Sequence, residues 1–166
     1  MAVKVENIGE HYGSVLRGLS FGLTSGVLTT LGLMVGLNSG TGSDEAVAAG
    51  VLTIAITDAL SDSLGVHVSE ESTGAGTREI WVATIATFLA KFLFALTFLI
   101  PIVLLPLGTA VLVSIAWGAV VLIAFSWYIA HQNGDLARVV IGEHLLIGAA
   151  VLLSGQLAGA GIDRLF

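Results

Sequence analysis

The sequence predicts an all-α integral membrane protein, a bundle of five transmembrane helices. Of its 166 residues, 55% are hydrophobic and 11% are charged, whereas soluble domains carry about 25% charged residues. A helix needs roughly 20 apolar residues to cross a bilayer. The segments that reach this length are residues 15–37, 46–68, 80–105, 107–130 and 139–162. Because the connections are short, we expect one transmembrane domain over residues 1–166 and no soluble domain.

The limits of the spans follow from their flanking residues. Span one, residues 15–37, is as long as a full span, precedes an acidic loop and has no small-residue cleavage pattern. We therefore interpret it as a retained helix rather than a cleavable signal. Spans three and four form one apolar run that Pro101, Pro106 and Gly108 interrupt. These residues do not continue a helix comfortably, so they predict a tight hairpin between the two spans.

Basic residues near the spans predict the orientation of the chain. The N-terminus and the second and fourth loops share one side, which carries Lys4, Arg17, Arg78 and Arg138, whereas the opposite side carries Arg164. Basic residues accumulate in cytosolic loops, so we expect the N-terminus inside and the C-terminus outside. Without a targeting signal, the plasma membrane of a prokaryote is the simplest location.

Composition also limits the partners and the chemistry. The net charge of −6 disfavours nucleic acid and anionic lipid as partners; it fits attraction of cations or adaptation to high salt. The absence of cysteine excludes disulfides, thiolate metal sites and cysteine nucleophiles. We expect no resident cofactor and no enzyme activity, because no nucleophile and base pair, hydride site or phosphate-binding loop emerges from the motifs.

Asp58 and Asp62 are the most informative residues of the chain. They lie one helical turn apart inside span two. A carboxylate at bilayer depth costs roughly 2.5 to 3.5 kcal/mol on insertion scales, so two on one helix need a compensating role. We expect this pair to bind a cation or protons.

Counting along the spans places two further polar residues at a similar depth. Ser25 of span one reaches the level of Asp58, and Lys91 lies near the middle of span three. Charges so grouped are tolerable when they face the interior of the bundle. Lys91 is interpreted either as a structural partner of the acids or as a counter-ion with a role in the mechanism.

Imidazole and carboxylate groups are expected around the second loop and near the fourth. His67, Glu70 and Glu71 follow the acid pair along span two, and we expect them to collect a divalent cation, because carboxylates suit Mg, Ca and Mn while imidazole extends the range to Fe and Zn. A secondary vestibule is predicted at Glu79, Glu143 and His144. The alternative is ordinary solvated charge for the glutamates and interfacial placement for the histidines.

Small residues recur at every fourth position of span one. Ser14, Gly18, Gly22 and Gly26 form one stripe, and a second stripe of Gly32, Gly36 and Gly40 is displaced by about 120 degrees around the helix. Such stripes let another helix backbone approach closely. The partner is either the same helix of a second subunit, with Gly18, Gly22 and Gly26 as the dimer face, or a neighbour within the bundle.

Two segments resemble the vacuolar iron transporter family, whose members move ferrous iron and manganese. The run Gly22-Leu-Thr-Ser-Gly-Val-Leu-Thr-Thr-Leu-Gly32 is similar to the family's G-x-N-D-G-L-V-T-T stretch. Ala59-Leu-Ser-Asp-Ser-Leu-Gly65, followed by Val68-Ser69, is similar to its A-L-S-M-A-A-G-E-Y-V-S segment. Residues 86–90, 100–101 and 143–148 match its later helices in character only.

The resemblance implies a five-helix protomer that dimerises through span one and exports Fe²⁺ or Mn²⁺ from the cytosol in exchange for protons. The family's aspartate on helix one falls on Ser25, its membrane methionine on Asp62 and its helix-two glutamate on Val66. An oxygen site would replace a thioether site, which favours harder cations. About ten residues span Ser69 to Arg78, so the family's cytosolic metal-binding domain is missing here.

Two other functions remain open on sequence grounds. The first is an exchanger or channel for another cation, such as sodium or calcium, that uses the same acid pair. The second is a membrane scaffold without transport, in which Asp58, Asp62 and Lys91 only fix the register of the helices.

Overall fold

In a computed structural model, the backbone is described for residues 2–165 and the side chains for residues 12–165. All regular structure in this range is helical, as the sequence predicted. The helices are α1 Ala2–Thr41, α2 Asp44–Ser72, α3 Thr77–Thr97, α4 Leu99–Leu104, α5 Leu107–Asn133 and α6 Ala137–Asp163. Among the residues searched, five helical segments are long and apolar enough to cross a membrane: Tyr12–Thr41, Asp44–Ser72, Thr77–Leu104, Leu107–Asn133 and Ala137–Asp163. These segments are consistent with a multi-pass membrane protein.

Glycines, rather than the ends of the apolar segments, determine where α2 and α5 stop. Gly74 follows α2 with a φ of +75°, and Gly134 follows α5 with a φ of +74°. At the end of α2, Ala75 N donates to Glu70 O and Gly74 N donates to Glu71 O, the pattern of a Schellman cap. Both helices therefore run three or four residues beyond the predicted ends at 130 and 68.

Span three contains a break that the sequence analysis did not predict. Helix α3 ends at Thr97 and α4 begins at Leu99. Pro101 explains the position, because a proline ring clashes with the carbonyl four residues earlier, here that of Thr97. The predicted hairpin was too wide: Pro101 lies within α4 and Gly108 within α5, and the turn itself occupies Leu105 and Pro106.

The chain divides into two compact units. Unit one comprises the chain up to Gly26 together with Thr53–Leu96. Unit two comprises Val27–Leu52 and the chain from Thr97 onward. Helices α1 and α2 contribute residues to both units, so each unit is described separately below.

In unit one, the first glycine stripe of α1 lies against α3. A Cβ atom at Gly18 would collide with the backbone oxygen of Ala83, and one at Gly22 would collide with that of Thr87. One turn further, a Cβ at Gly26 would lie 3.1 Å from the Cα of Lys91. The partner of this stripe is therefore a helix of the same chain, and the face assigned to a dimer is already occupied.

In unit two, the second stripe of α1 lies against α6. A Cβ atom would come within 3.2 Å of the Gly155 oxygen if placed at Gly36, and within 3.2 Å of the Gly159 oxygen if placed at Gly40. Ser39 adds a side-chain contact, since Gln156 Nε2 donates to its Oγ at 3.0 Å. Close backbone approach thus joins α1 and α6 where large side chains are absent.

Candidate ion site

Four polar side chains predicted to share one depth meet in unit one. Lys91 Nζ of α3 lies 2.5 Å from Asp58 Oδ2 and also binds Asp62 Oδ2, both on α2. The same ammonium donates to Ser25 Oγ of α1 at 2.9 Å, and Ser25 Oγ donates to Asp62 Oδ2 at 2.6 Å. Three membrane-span helices therefore converge on one ammonium group.

The charges of this cluster do not balance. Two carboxylates face a single ammonium, which leaves one negative charge in excess when all three groups are ionised. The Lys91 side chain is 2% exposed, whereas the side chains of Asp58 and Asp62 are 26% and 21% exposed. The ammonium is thus enclosed, whereas both carboxylates are partly exposed.

Local sequence explains why Lys91 lies so deep. The four-residue spacing of Asp58 and Asp62 puts both carboxylates on one face of α2. The neighbouring Gly26 of α1 has no side chain, and a Cβ there would meet the Lys91 Cγ at 3.2 Å. The aliphatic part of the Lys91 side chain therefore packs against Gly26. The glycine stripe predicted a close helix contact at this position but did not identify Lys91 as the residue in contact.

Glu70 belongs to a second ion pair that the sequence analysis did not find. Arg17 Nε lies 2.7 Å from Glu70 Oε1, and Arg17 Nη2 lies 2.8 Å from Oε2. The same Nη2 donates to the buried Ser14 Oγ at 3.1 Å. This bidentate geometry is favourable for arginine and carboxylate, and it engages Glu70 with α1 rather than with His67 or Glu71.

The other residues expected to collect a cation are separated in the structure. His67 Nδ1 lies 3.0 Å from Thr84 Oγ1, and its ring makes an edge contact with Trp81 at 4.9 Å between centroids. Glu71 is exposed. Among the described residues, no three His, Asp or Glu side chains form a group able to hold a metal ion.

The residues of the predicted secondary vestibule fall in both units. Glu79 of unit one lines an open polar cavity of about 440 Å³ together with Ser14, Arg17 and the loop around Gly74. In unit two, Glu143 is exposed on α6. His144 of the same helix places Nδ1 2.7 Å from Ser126 Oγ of α5.

Sequence reasoning missed the hydroxyl partners of the two histidines. Thr84 and Ser126 each lie in an apolar helix, where a lone hydroxyl ordinarily bonds to the carbonyl of the preceding turn and gives no functional signal. Their importance becomes visible only once the histidine of the facing helix is in place.

Comparisons with protein-family models, with curated proteins and with solved structures give no match to this chain. They identify no family for it, and the resemblance described in the sequence analysis depends only on residues 22–32 and 59–69. Both segments contribute to the ion site: the first supplies Ser25 and Gly26, and the second supplies Asp62.

Proposed function

We propose that this protein is a membrane transporter that exports divalent metal cations, Fe²⁺ or Mn²⁺, from the cytosol in exchange for protons. The observation that carries the proposal is the excess negative charge at Asp58, Asp62 and Lys91, which is contributed by two apolar helices. Ionisable residues inside membrane spans commonly mark ion or proton pathways. The resemblance of residues 22–32 and 59–69 to the vacuolar iron transporter family is the second support for this proposal.

In the proposed mechanism, Lys91 is the resting counter-ion of the site. An arriving divalent cation displaces the ammonium of Lys91. The carboxylate oxygens of Asp58 and Asp62 then replace part of the hydration shell of the divalent cation. Ser25 Oγ, which lies 2.6 Å from Asp62 Oδ2, supplies a neutral oxygen. Protons compete with the metal for the same carboxylates, and this competition couples the two movements.

The proposed orientation places the α2–α3 loop in the cytosol, since Arg17 pairs with Glu70 near the end of α2 and Arg78 lies in the first turn of α3. The cavity beside Glu79 is then the cytosolic approach to the membrane. The location proposed from the sequence is the plasma membrane of a prokaryote. A dimer formed through Gly18, Gly22 and Gly26 is not part of the proposal, because α3 covers these glycines.

One observation favours a second candidate, a scaffold without transport. Lys91 is engaged by both carboxylates and by Ser25, an arrangement that also fixes the register of three helices. In this reading the excess charge is a structural cost without a function. The two candidates differ in whether metal and protons displace each other.

Transport in vesicles tests the proposal. Purified protein in liposomes with an imposed pH gradient is expected to take up Mn²⁺ and to release protons in return. Asp62→Asn is expected to abolish both movements, because the isosteric amide cannot bind metal as an anion. Asp135→Asn, at an exposed position between α5 and α6, serves as the matched control and should transport normally.

Four outcomes have distinct meanings in this experiment. Metal uptake without proton release points to passive conduction. Preferential uptake of sodium or calcium identifies another cation as the substrate. No uptake by a folded wild-type protein contradicts the proposal and leaves the scaffold. Undiminished uptake by Asp62→Asn contradicts the proposed site, because transport then does not need this carboxylate.

A further inference from the structure

Two polar contacts join α1 to α2 in unit one, and they lie in the same register. Ser25 Oγ donates to Asp62 Oδ2 at 2.6 Å, and the Arg17 guanidinium binds the two carboxylate oxygens of Glu70 at 2.7 and 2.8 Å. The spacing is eight residues on both helices, from 17 to 25 on α1 and from 62 to 70 on α2. Eight residues of α-helix rise about 12 Å, so the ion pair lies about two turns from the ion site.

The open polar cavity of about 440 Å³ lies beyond this ion pair, on the side away from the ion site. On α1 it is lined by Gly13, Ser14 and Arg17, and the other lining residues are those of loop 74–76 and Glu79. None of the lining residues belongs to the ion site. Arg17 is therefore the part of the cavity wall on α1 that comes nearest to the ion site.

The stretch of α1 between the two polar contacts is closely packed. A Cβ atom at Gly18 or at Gly22 would collide with a backbone oxygen of α3, so no space is left between these helices. On α2, the residue midway between Asp62 and Glu70 is the apolar Val66. A hydrated cation in the cavity therefore reaches Asp62 only if these helices move apart.

The pair of Arg17 and Glu70 is well placed to control this movement, because it can open at little cost. The Arg17 side chain is 55% exposed and that of Glu70 is 12% exposed, so water can solvate the guanidinium when the pair breaks. An exposed ion pair shifts an equilibrium by only about 1.5- to 5-fold. The geometry is nevertheless specific, since both carboxylate oxygens are engaged by one planar group.

We propose that Arg17 and Glu70 form a latch between the polar cavity and the ion site. While the latch is closed, it holds α1 against α2, and water in the cavity does not reach Ser25. When the latch opens, the two helices part at this end and a hydrated cation reaches the carboxylates from the cavity. The inference rests on the proposed function for its role, because an exchanger must close one end of its site while the other is open.

Thiol labelling of the full chain in lipid nanodiscs tests the latch. The chain contains no cysteine, so Ser25→Cys places a single thiol in the ion site. Its rate of reaction is measured with one cationic and one anionic methanethiosulfonate reagent. Arg17→Gln and Glu70→Gln, each added to Ser25→Cys, are expected to accelerate both reactions by about 1.5- to 5-fold. Because the two residues form one latch, the variant with both glutamines should be no faster than either alone.

Two further variants control for charge and for general loosening of the fold. Arg138→Gln removes an exposed arginine of unit two and should leave both rates unchanged. Arg17→Glu combined with Glu70→Arg rebuilds the pair with reversed polarity and should return both rates to the values seen with the native pair. Unchanged rates in Arg17→Gln and Glu70→Gln overturn the inference. Opposite changes for the two reagents also overturn it, because they report local charge and not access.

The labelling rates need no transport, so the latch and the proposed function fail separately. Faster labelling on removal of the latch, in a protein that takes up no Mn²⁺ in vesicles, upholds the latch and refutes the transporter. Exchange of Mn²⁺ for protons by the protein with Ser25 intact, together with unchanged labelling rates in the glutamine variants, refutes the latch alone.

Discussion

Gly26 lies directly against the backbone of Lys91: a Cβ atom at Gly26 would be 3.1 Å from both the Cα and the carbonyl oxygen of Lys91. The depth of the ammonium therefore depends on a missing side chain on the facing helix. Ser25, next to this glycine, donates to Asp62. One dipeptide of α1 thus sets both the approach of α3 and one hydrogen bond of the ion site.

Gly26→Ala is expected to destabilise the fold and to impair transport. The added methyl group must displace the Lys91 backbone, and overpacking of this kind costs about 1–3 kcal/mol. Thermal unfolding in detergent measures the loss, and vesicle uptake measures the effect on the site. The matched control is Gly65→Ala on α2, where a Cβ meets nothing within 4 Å; it should be neutral or stabilising by about 0.5–1 kcal/mol. Equal midpoints for the two variants would show that α1 and α3 are not in close contact.

Lys91→Met should strongly destabilise the protein, because it leaves two carboxylates without their shared cation. Removing one partner of a buried ion pair costs about 3–5 kcal/mol. The triple variant Asp58→Asn, Asp62→Asn, Lys91→Met carries no charge at the site and is expected to recover most of this stability. Mn²⁺ uptake by this variant tests the site: we expect uptake to be lost although the fold is recovered, and uptake at the wild-type level would exclude these three side chains from transport.

Gly155→Ala is expected to loosen the contact between α1 and α6. A Cβ atom at Gly155 would collide with the backbone oxygen of Gly32, so the helices must separate. Gly161→Ala on the same helix has open space at its Cβ and provides the control. Unfolding midpoints should fall for the first variant only, and cross-linking between cysteines introduced at positions 39 and 156 should become slower in that variant.

Arg17→Gln should have a small effect on stability, despite the bidentate geometry of its pair with Glu70. The Arg17 side chain is 55% exposed, and exposed ion pairs contribute about 0.2–1 kcal/mol. Arg138→Gln at another exposed arginine controls for the loss of charge. A double-mutant cycle with Glu70→Gln measures the coupling; a coupling well above this range would mean that the pair is shielded from solvent in the folded protein.

Much of the architecture could be predicted from composition and periodicity alone. The five spans were found because apolar length is a property of local sequence. The ends of α2 and α5 were missed because a Schellman glycine allows polar residues such as Ser69 to continue the helix beyond the apolar segment. The break at Phe98 was missed because Pro101 was assigned to the hairpin. A proline disrupts the helical turn that precedes it, which places the break at Phe98.

The depth of the residues in the candidate ion site could be predicted from the sequence, but their partners could not. Depth can be counted along a helix, so Ser25, Asp58 and Lys91 were expected at one level. Rotation about the helix axis cannot be counted in this way. The pairing of Glu70 with Arg17, and the choice of α3 as partner of the first glycine stripe, depend on which faces meet. For this reason the sequence left the partner of the stripe open. It also grouped Glu70 with His67 and Glu71, whereas Glu70 pairs with Arg17.

The sparse contacts of α6 bear on how the chain assembles. Only 6% of its apolar window is buried within the protein, and in a bilayer the hydrophobic effect does not drive one helix toward another. On the side of α1, this segment is held by backbone contact at Gly155 and Gly159 and by the Gln156 bond to Ser39, and on the side of α5 by the contact of His144 with Ser126. Where α6 meets α1, no side-chain carbon separates Gly155 from the backbone oxygen of Gly32 or Gly159 from that of Gly36. A single methyl group at either glycine would therefore separate α6 from α1 without touching the apolar surface that faces away from both helices.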